Sequence, residues 1–261
     1  MIKERALALR VTTAGPLRIG AKKDPLSGAD NPVTRVGGSL VIPGSSLKGA
    51  LRNQIECYLI DKFFKGGIWE LGKEEWMPCI PGAEASPDER QLIRDGKYRD
   101  QGGTCHYPCA DKCRNRVHSI CPVCYLLGAM TLPGFLRVPF LRAEGGSNEL
   151  VAVRLDRATK TIPQLGRGGP VRSYELVPQG AVFSGVMHIT LEDTITGWKL
   201  SQPRQFGDRA RTHGDSWLVG SSYDQGEFFS EFVADRLREI NTMGGYRSKG
   251  FGRIQIEANQ A

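Results

Sequence analysis

"SSLKGALRNQIECYLIDKFF", residues 45–64, spaces Leu47, Leu51, Ile55 and Leu59 four apart, the repeat of a helix that buries one stripe against another layer. Ser45 or Ser46 is available to cap its first turn, and Lys48 and Arg52 stand near that entry. Upstream, "RALALRVTT" alternates Leu7, Leu9 and Val11 with Ala6, Ala8 and Arg10, the period of a half-buried strand, and stops at Gly15-Pro16. Downstream, extended structure is expected in "FLRVPFLRAE", in "ELVAVRLDR" and in "YELVPQGAVFSGVMHITLED", where Phe183, Met187, Ile189 and Leu191 share one parity. "GEFFSEFVADRLREIN" reads as a second amphipathic helix through Phe228, Phe232, Leu237 and Ile240, and "FGRIQIE" as a closing strand. Strand, helix, strands, helix, strand is the order of an α+β, split βαβ or ferredoxin-like core with an elaborated middle, a sheet that often presents an open face or edge to RNA.

Around that core the pattern changes. From about residue 65 to 119 it dissolves into Gly, Pro, charges and cysteines, too long for a bare loop. An inserted subdomain is expected over 65–124, with the core built from 1–64 and 125–261. The basic, glycine-rich "ATKTIPQLGRGGPVR", residues 158–172, interrupts two extended segments and reads as a projecting hairpin.

Of 261 residues, 40% are hydrophobic and 24% charged, the composition of a folded globular chain rather than a disordered one. Lys plus Arg exceed Asp plus Glu by 35 to 28, a net +7 that favours polyanionic partners. No apolar run approaches a membrane span and the N-terminus lacks a signal-peptide pattern, so a cytoplasmic protein with no membrane partner is expected.

Five of the seven cysteines, Cys105, Cys109, Cys113, Cys121 and Cys124, fall within 20 residues. In a reducing compartment that density points to a metal, and "CPVC" has the spacing of a zinc knuckle. Cys109, Cys113, Cys121 and Cys124 are the expected ligands, with Cys105 as alternate and His106 and His118 also in range. One structural zinc per chain is expected.

Enzyme motifs are sparse. "GSSLKGALR" lacks the glycine and lysine spacing of a nucleotide-binding phosphate loop, though a helix start with two hydroxyls and a cation can still hold a phosphodiester. There is no G-x-S-x-G elbow, and His106, His118, His188 and His213 are scattered. "GGYRSKGFGRI" gathers Arg247, Lys249 and Arg253 among four glycines, with Tyr246 and Phe251 able to stack on bases. A tight strand connection would also want those glycines, and a lone Asp30 before "NPV" also suits an ordinary turn.

Taken together, "DNPVTRV", "LVIPGSSLKGALR", "CPVCYLLGAM", "VRLDRATKTIPQLG", "YELVPQGAVF" and "GGYRSKGFGRIQI" resemble, in order and over most of the chain, the backbone subunits of type III CRISPR effector complexes. These belong to the repeat-associated mysterious protein (RAMP) superfamily. The resemblance implies copies stacked along a CRISPR RNA with other effector subunits, each inserting a thumb, here 158–172, into the guide–target duplex. It implies cleavage of the target RNA at regular intervals by Asp30; the chemistry allows that carboxylate to act as a general base or as a ligand for a divalent cation such as Mg or Mn. Guide contacts carried over in the same way are Ser45, Ser46, Lys48, Arg52, Gly244, Gly245, Arg247, Lys249 and Gly250, with Lys160, Arg167 and Arg172 in the basic hairpin. Two alternatives stay open within the superfamily: a non-catalytic RNA-binding scaffold, and an endoribonuclease that processes the guide precursor.

Overall fold

The computed structural model describes residues 2–21, 30–81, 85–100, 105, 120–129, 132–143, 145–153, 171–204 and 214–260. The first half holds strands β1 (Ile2–Thr13), β2 (Arg35–Val36) and β3 (Ser39–Ile42), helix α1 (Gly44–Phe63), the short hairpin β4 (Phe64–Lys65) and β5 (Ile68–Trp69), and helices α2 (Pro87–Arg94) and α3 (Pro122–Leu127). Then come β6 (Leu136–Arg137), β7 (Leu141–Ala143), β8 (Asn148–Val153), β9 (Val171–Leu176), β10 (Val182–Asp193) and β11 (Trp198–Lys199). A last helical stretch, α4 (Gln225–Phe229), a π turn (Ser230–Ala234) and α5 (Asp235–Glu239), leads to β12 (Ile254–Gln260).

The main sheet is antiparallel in the order β12-β1-β10-β7-β3-β2, with β6 and β11 also on β10. Alternation along β1 does what the sequence suggests: Leu7, Leu9 and Val11 are buried while Arg10 is exposed. Leu9 lies opposite Gly185 of β10 and Ala258 of β12, in the middle of both ladders. The segment expected as one strand at 135–144 is broken into β6 and β7, because Pro139 between them has no N–H to give a ladder. Gly185 faces this break. A Cβ there would lie 2.7 Å from Leu141 and 3.1 Å from the Phe140 carbonyl, so the strands close up only around glycine.

Helix α1 buries Leu47, Leu51, Ile55, Leu59 and Phe63, the stripe its spacing foretells, and each such side chain contributes roughly 1.5–3 kcal/mol. Its start differs from expectation. Neither serine caps it; the helix begins at Gly44 behind Pro43, with no side-chain cap, so Ser45 and Ser46 sit inside the first turn. The cause is packing. A Cβ at Gly44 would fall 2.5 Å from the Val138 carbonyl, so the helix end presses directly on the chain between β6 and β7.

The second helix also carries a refinement. Phe228 and Phe232 are four apart but Leu237 follows five later, a misfit for a regular α-helix. The π turn at Ser230–Ala234 absorbs the extra residue, so Phe228, Phe232 and Leu237 all face inward.

Residues expected to form a separate insertion share the main core. Trp76 meets Phe63 of α1 at 5.1 Å between ring centroids, Trp217 at 4.8 Å and Phe232 at 5.9 Å. Nearby, a fully buried Arg204 makes bonds to Asp215 at 2.8 and 2.9 Å and lies over the Tyr125 ring at 4.7 Å. Strands β8 and β9 form their own ladder, from Asn148 opposite Leu176 to Val153 opposite Val171. The hairpin at 158–172 lies outside the described residues except for its last two, which belong to β9.

Candidate nucleic-acid interface and metal centre

Three stretches that stood out in the sequence meet at the root of the β8/β9 ladder. The Asp30 N–H donates to Ser173 Oγ at 3.0 Å, and the Ser173 N–H donates to Asp30 Oδ2 at 3.3 Å. The next residues extend the seam: the Asn31 amide donates to the Ser173 carbonyl at 3.3 Å, and the Glu175 N–H donates to the Asn31 carbonyl at 3.0 Å. Glu175 then accepts from the Val33 N–H at 2.9 Å and from Arg35 at 2.8 Å, and is joined by Ser147. Burial works against the charge of Glu175, but these donors win and hold its carboxyl below the usual range. The loop bearing Asp30 is thus sewn to β9 while Asp30 itself stays exposed.

The C-terminal glycine loop reaches the same place. Its Gly245 N–H donates to the Arg18 carbonyl at 2.9 Å, and Gly252 N–H to the Pro16 carbonyl at 2.8 Å. Leu17, between them, pairs in both directions with Val177 just past β9. A Cβ on Gly244 would sit 2.4 Å from the Arg18 carbonyl, so only glycine permits this contact. Tyr246 is held at φ 60°, a left-handed conformation that is strained for an aromatic residue. Its ring meets Tyr174 edge-on at 5.3 Å, with Arg18 at 4.9 Å and Lys249 at 4.7 Å over it. Cations around partly exposed aromatic rings are the makings of a single-strand binding surface. Tyr174 and Arg18 had no motif to announce them; only the fold puts them there.

Of the other expected contacts, Ser45, Lys48, Gly245, Arg247, Lys249, Gly250 and Arg172 are exposed, and Ser46 and Gly244 partly so. Lys160 and Arg167 lie outside the described residues. Arg52 needs correcting as a guide contact. It turns inward, its side chain only 12% exposed, donating to Glu56 at 2.9 Å, to the Cys79 carbonyl at 3.2 Å and to Cys124 Sγ at 3.2 Å. Arg52 and Glu56, one turn apart on α1, are thereby committed to the interior. Burial pushes the Glu56 carboxyl up to about 7, with Arg52 pulling the other way.

The thiols gather in this interior. Cys79, Cys105, Cys121 and Cys124 are all buried, and their sulfurs lie within 4.8 Å of one another. Cys79 Sγ is 3.3 Å from Cys124 Sγ and 3.6 Å from Cys121 Sγ. A tetrahedron with metal–sulfur bonds of about 2.3 Å has edges of about 3.8 Å, so four thiolates could hold a zinc-sized ion with small adjustments. Hydrogen bonds from the other three thiols, Cys121 first, pull Cys105 well below the ordinary thiol range; the same contacts, with Cys105 foremost, push Cys79 and Cys124 above it. "CPVC" supplies two members because Cys121 sits at the N-cap of α3, where its sulfur accepts from the Cys124 N–H at 3.4 Å. Cys105, the expected alternate, is the third. Cys79 was not expected at all; it stands alone in "MPCIP", and nothing local marks it. Cys109 and Cys113 lie outside the described residues.

A family model for the RAMP superfamily matches residues 10–255, nearly the whole chain, and the chain belongs to that superfamily. The superfamily is associated with CRISPR systems and RNA binding, and its members generally bind CRISPR RNA within multi-subunit complexes. Some are endoribonucleases. Curated proteins yielded no match to the chain. Among the described residues no helix is long and apolar enough to cross a membrane.

Proposed function

We propose that this chain is a CRISPR-RNA-binding backbone subunit of a type III effector complex, and that it cuts complementary target RNA through Asp30. The observation that carries the reading is the pair of hydrogen bonds between Asp30 and Ser173, which sets a carboxylate beside the β8/β9 ladder. The strand order β12-β1-β10 followed by β6 and β7, with α1 after β1 and α4–α5 before β12, supports a ferredoxin-like core of the RNA-recognition type. On this reading 1–64 and 125–261 form the core, 65–124 is an insertion fastened to it, and 158–172 is a thumb. The guide runs over Ser45, Ser46 and Lys48 and along the loop of Gly244, Gly245, Arg247, Lys249 and Gly250, with Lys160, Arg167 and Arg172 on the thumb.

RNA brings its own nucleophile. Cleavage requires a 2′-hydroxyl aligned with the adjacent phosphorus, loss of its proton, and departure of the 5′-oxygen, leaving a cyclic phosphate and a free 5′-hydroxyl. Displacing a base beside the hairpin frees the sugar to align. Asp30 then takes the 2′ proton or serves as ligand to a divalent cation such as Mg or Mn, while the basic surface offsets phosphate charge. Cys79, Cys105, Cys121 and Cys124 would hold a structural zinc that ties distant parts of the insertion to one another. A closed set of four protein ligands leaves no open position for chemistry, so the metal's role is architectural.

In a complex assembled on guide RNA, Asp30→Ala should abolish target cleavage and leave guide binding intact. Unchanged cleavage would exclude Asp30 as the cutting residue, and an assembled complex that does not cleave at all would favour the non-catalytic scaffold reading. The precursor-processing alternative draws no support from the described histidine, His188, which sits on β10 beside Glu4 at 3.5 Å.

A further inference from the structure

Two arginines brace the chain that brings Cys79 to the thiol quartet. Arg52 approaches from α1, giving one N–H to Cys124 Sγ and another to the Cys79 carbonyl, both at 3.2 Å. Arg99 lies buried on the segment before Cys79; its Nε donates to the Met77 carbonyl at 2.7 Å, its Nη2 to the Glu75 carbonyl, and its N–H to the Pro78 carbonyl at 2.9 Å. Between them the two arginines hold four of the five positions 75–79: Glu75, Met77 and Cys79 through side-chain donors, and Pro78 through the Arg99 backbone N–H. That segment is the one that must deliver Cys79, forty-two positions ahead of Cys121, to the other three sulfurs.

Charge gives the same answer as position. Four thiolates around a divalent metal form a dianion, and a dianion buried in an apolar core is costly unless cations lie beside it. The permanently charged Arg52 guanidinium lies against this site, and its hydrogen bond from N–H to Cys124 Sγ draws electron density away from the thiolate.

We propose that Arg52 and Arg99 are positioning residues of the metal centre: both set Cys79 in place, and Arg52 also offsets the charge of a full tetrathiolate site. This rests on the four-cysteine metal reading. It also accounts for the inward turn of Arg52, which a guide-contacting role leaves unexplained.

The test is zinc affinity of the full chain, by competition with a chromophoric chelator, for the parent, Glu56→Gln, Arg52→Lys/Glu56→Gln and Arg52→Met/Glu56→Gln. The Glu56→Gln background prevents an orphaned carboxylate from being mistaken for a metal effect. Relative to Glu56→Gln, the methionine variant should bind zinc roughly 10–100-fold more weakly, and the lysine variant should fall between them. In cobalt-loaded protein the thiolate-to-cobalt charge-transfer band should shift in both Arg52 variants, a change that general loosening of the fold would not produce. If the methionine variant does not fold, the lysine variant's affinity and band carry the test. A parent that binds no zinc overturns the metal reading itself. A parent that binds zinc, with Arg52 variants of undiminished affinity and unshifted band, overturns this inference alone.

Discussion

Asp30 and Ser173 are 143 positions apart in sequence, yet each donates its backbone N–H to the other's side chain, at 3.0 and 3.3 Å. Asp30 is therefore tied to β9 through both its backbone and its carboxylate. Replacing Ser173 by Ala removes the acceptor for the Asp30 N–H and retains the backbone donor. Target cleavage by the assembled complex should fall roughly 10-fold with guide affinity unchanged, since small misplacements of a reacting group are costly. A rate equal to the parent's would show that the pairing does not orient Asp30.

Glu175 gives the same seam a pH dependence. Its carboxyl is held below 4.5, its ordinary value, because Ser147, Arg35 and the Val33 N–H favour the charged form over the cost of burial. A depressed carboxylate contributes stability that is present above its unfolded pKa and is lost as pH falls through the folded one. Glu175→Gln should therefore cost about 1 kcal/mol in urea unfolding at pH 7, and the difference should vanish on acidification well below pH 4.5. A penalty that persists unchanged in acid would assign the effect to packing instead.

The metal ligands separate cleanly by substitution. Cys79→Ser, Cys105→Ser, Cys121→Ser and Cys124→Ser should each lower zinc content from one equivalent per chain, and should loosen the core, because all four thiols are buried. Cys109→Ser and Cys113→Ser should each leave it at one. Elemental analysis of the purified variants reads this directly, and loss of zinc on changing Cys109 would redraw the ligand set.

Asp215 and Arg204 are a wager on burial. Both side chains are fully enclosed, and burial raises the Asp215 carboxyl even against the pull of Arg204. Asp215→Ala strands a guanidinium among Tyr125, Phe135 and Trp198, and should destabilise the chain by about 3–5 kcal/mol in denaturant unfolding. A loss under 1 kcal/mol would mean that water reaches the site.

Local periodicity made much of this fold legible. Leu47 to Leu59 and Leu7 to Val11 repeat at the right intervals, and burial follows them without exception. What the sequence could not carry was anything decided by distant backbone. The helix begins at Gly44 because Val138 lies against it, and the π turn exists because Leu237 must reach a core that the α-helical repeat would miss. Arg52 is the instructive residue: beside Lys48 at a helix entry it reads as a phosphate contact, but the helix turns it toward Cys124. Cys79 was invisible for the same reason, since a ligand that arrives alone has no spacing to betray it. Asp30 was singled out by resemblance, and its partner Ser173 by nothing short of the fold.

The central claim concerns RNA, and the RNA that travels with the protein tests it most directly. The chain should be purified together with its effector subunits and the bound nucleic acid sequenced. The account predicts short RNAs that carry CRISPR-repeat sequence at one end and a spacer beyond it. Recovery of no RNA, or of fragments without repeat sequence, would contradict it.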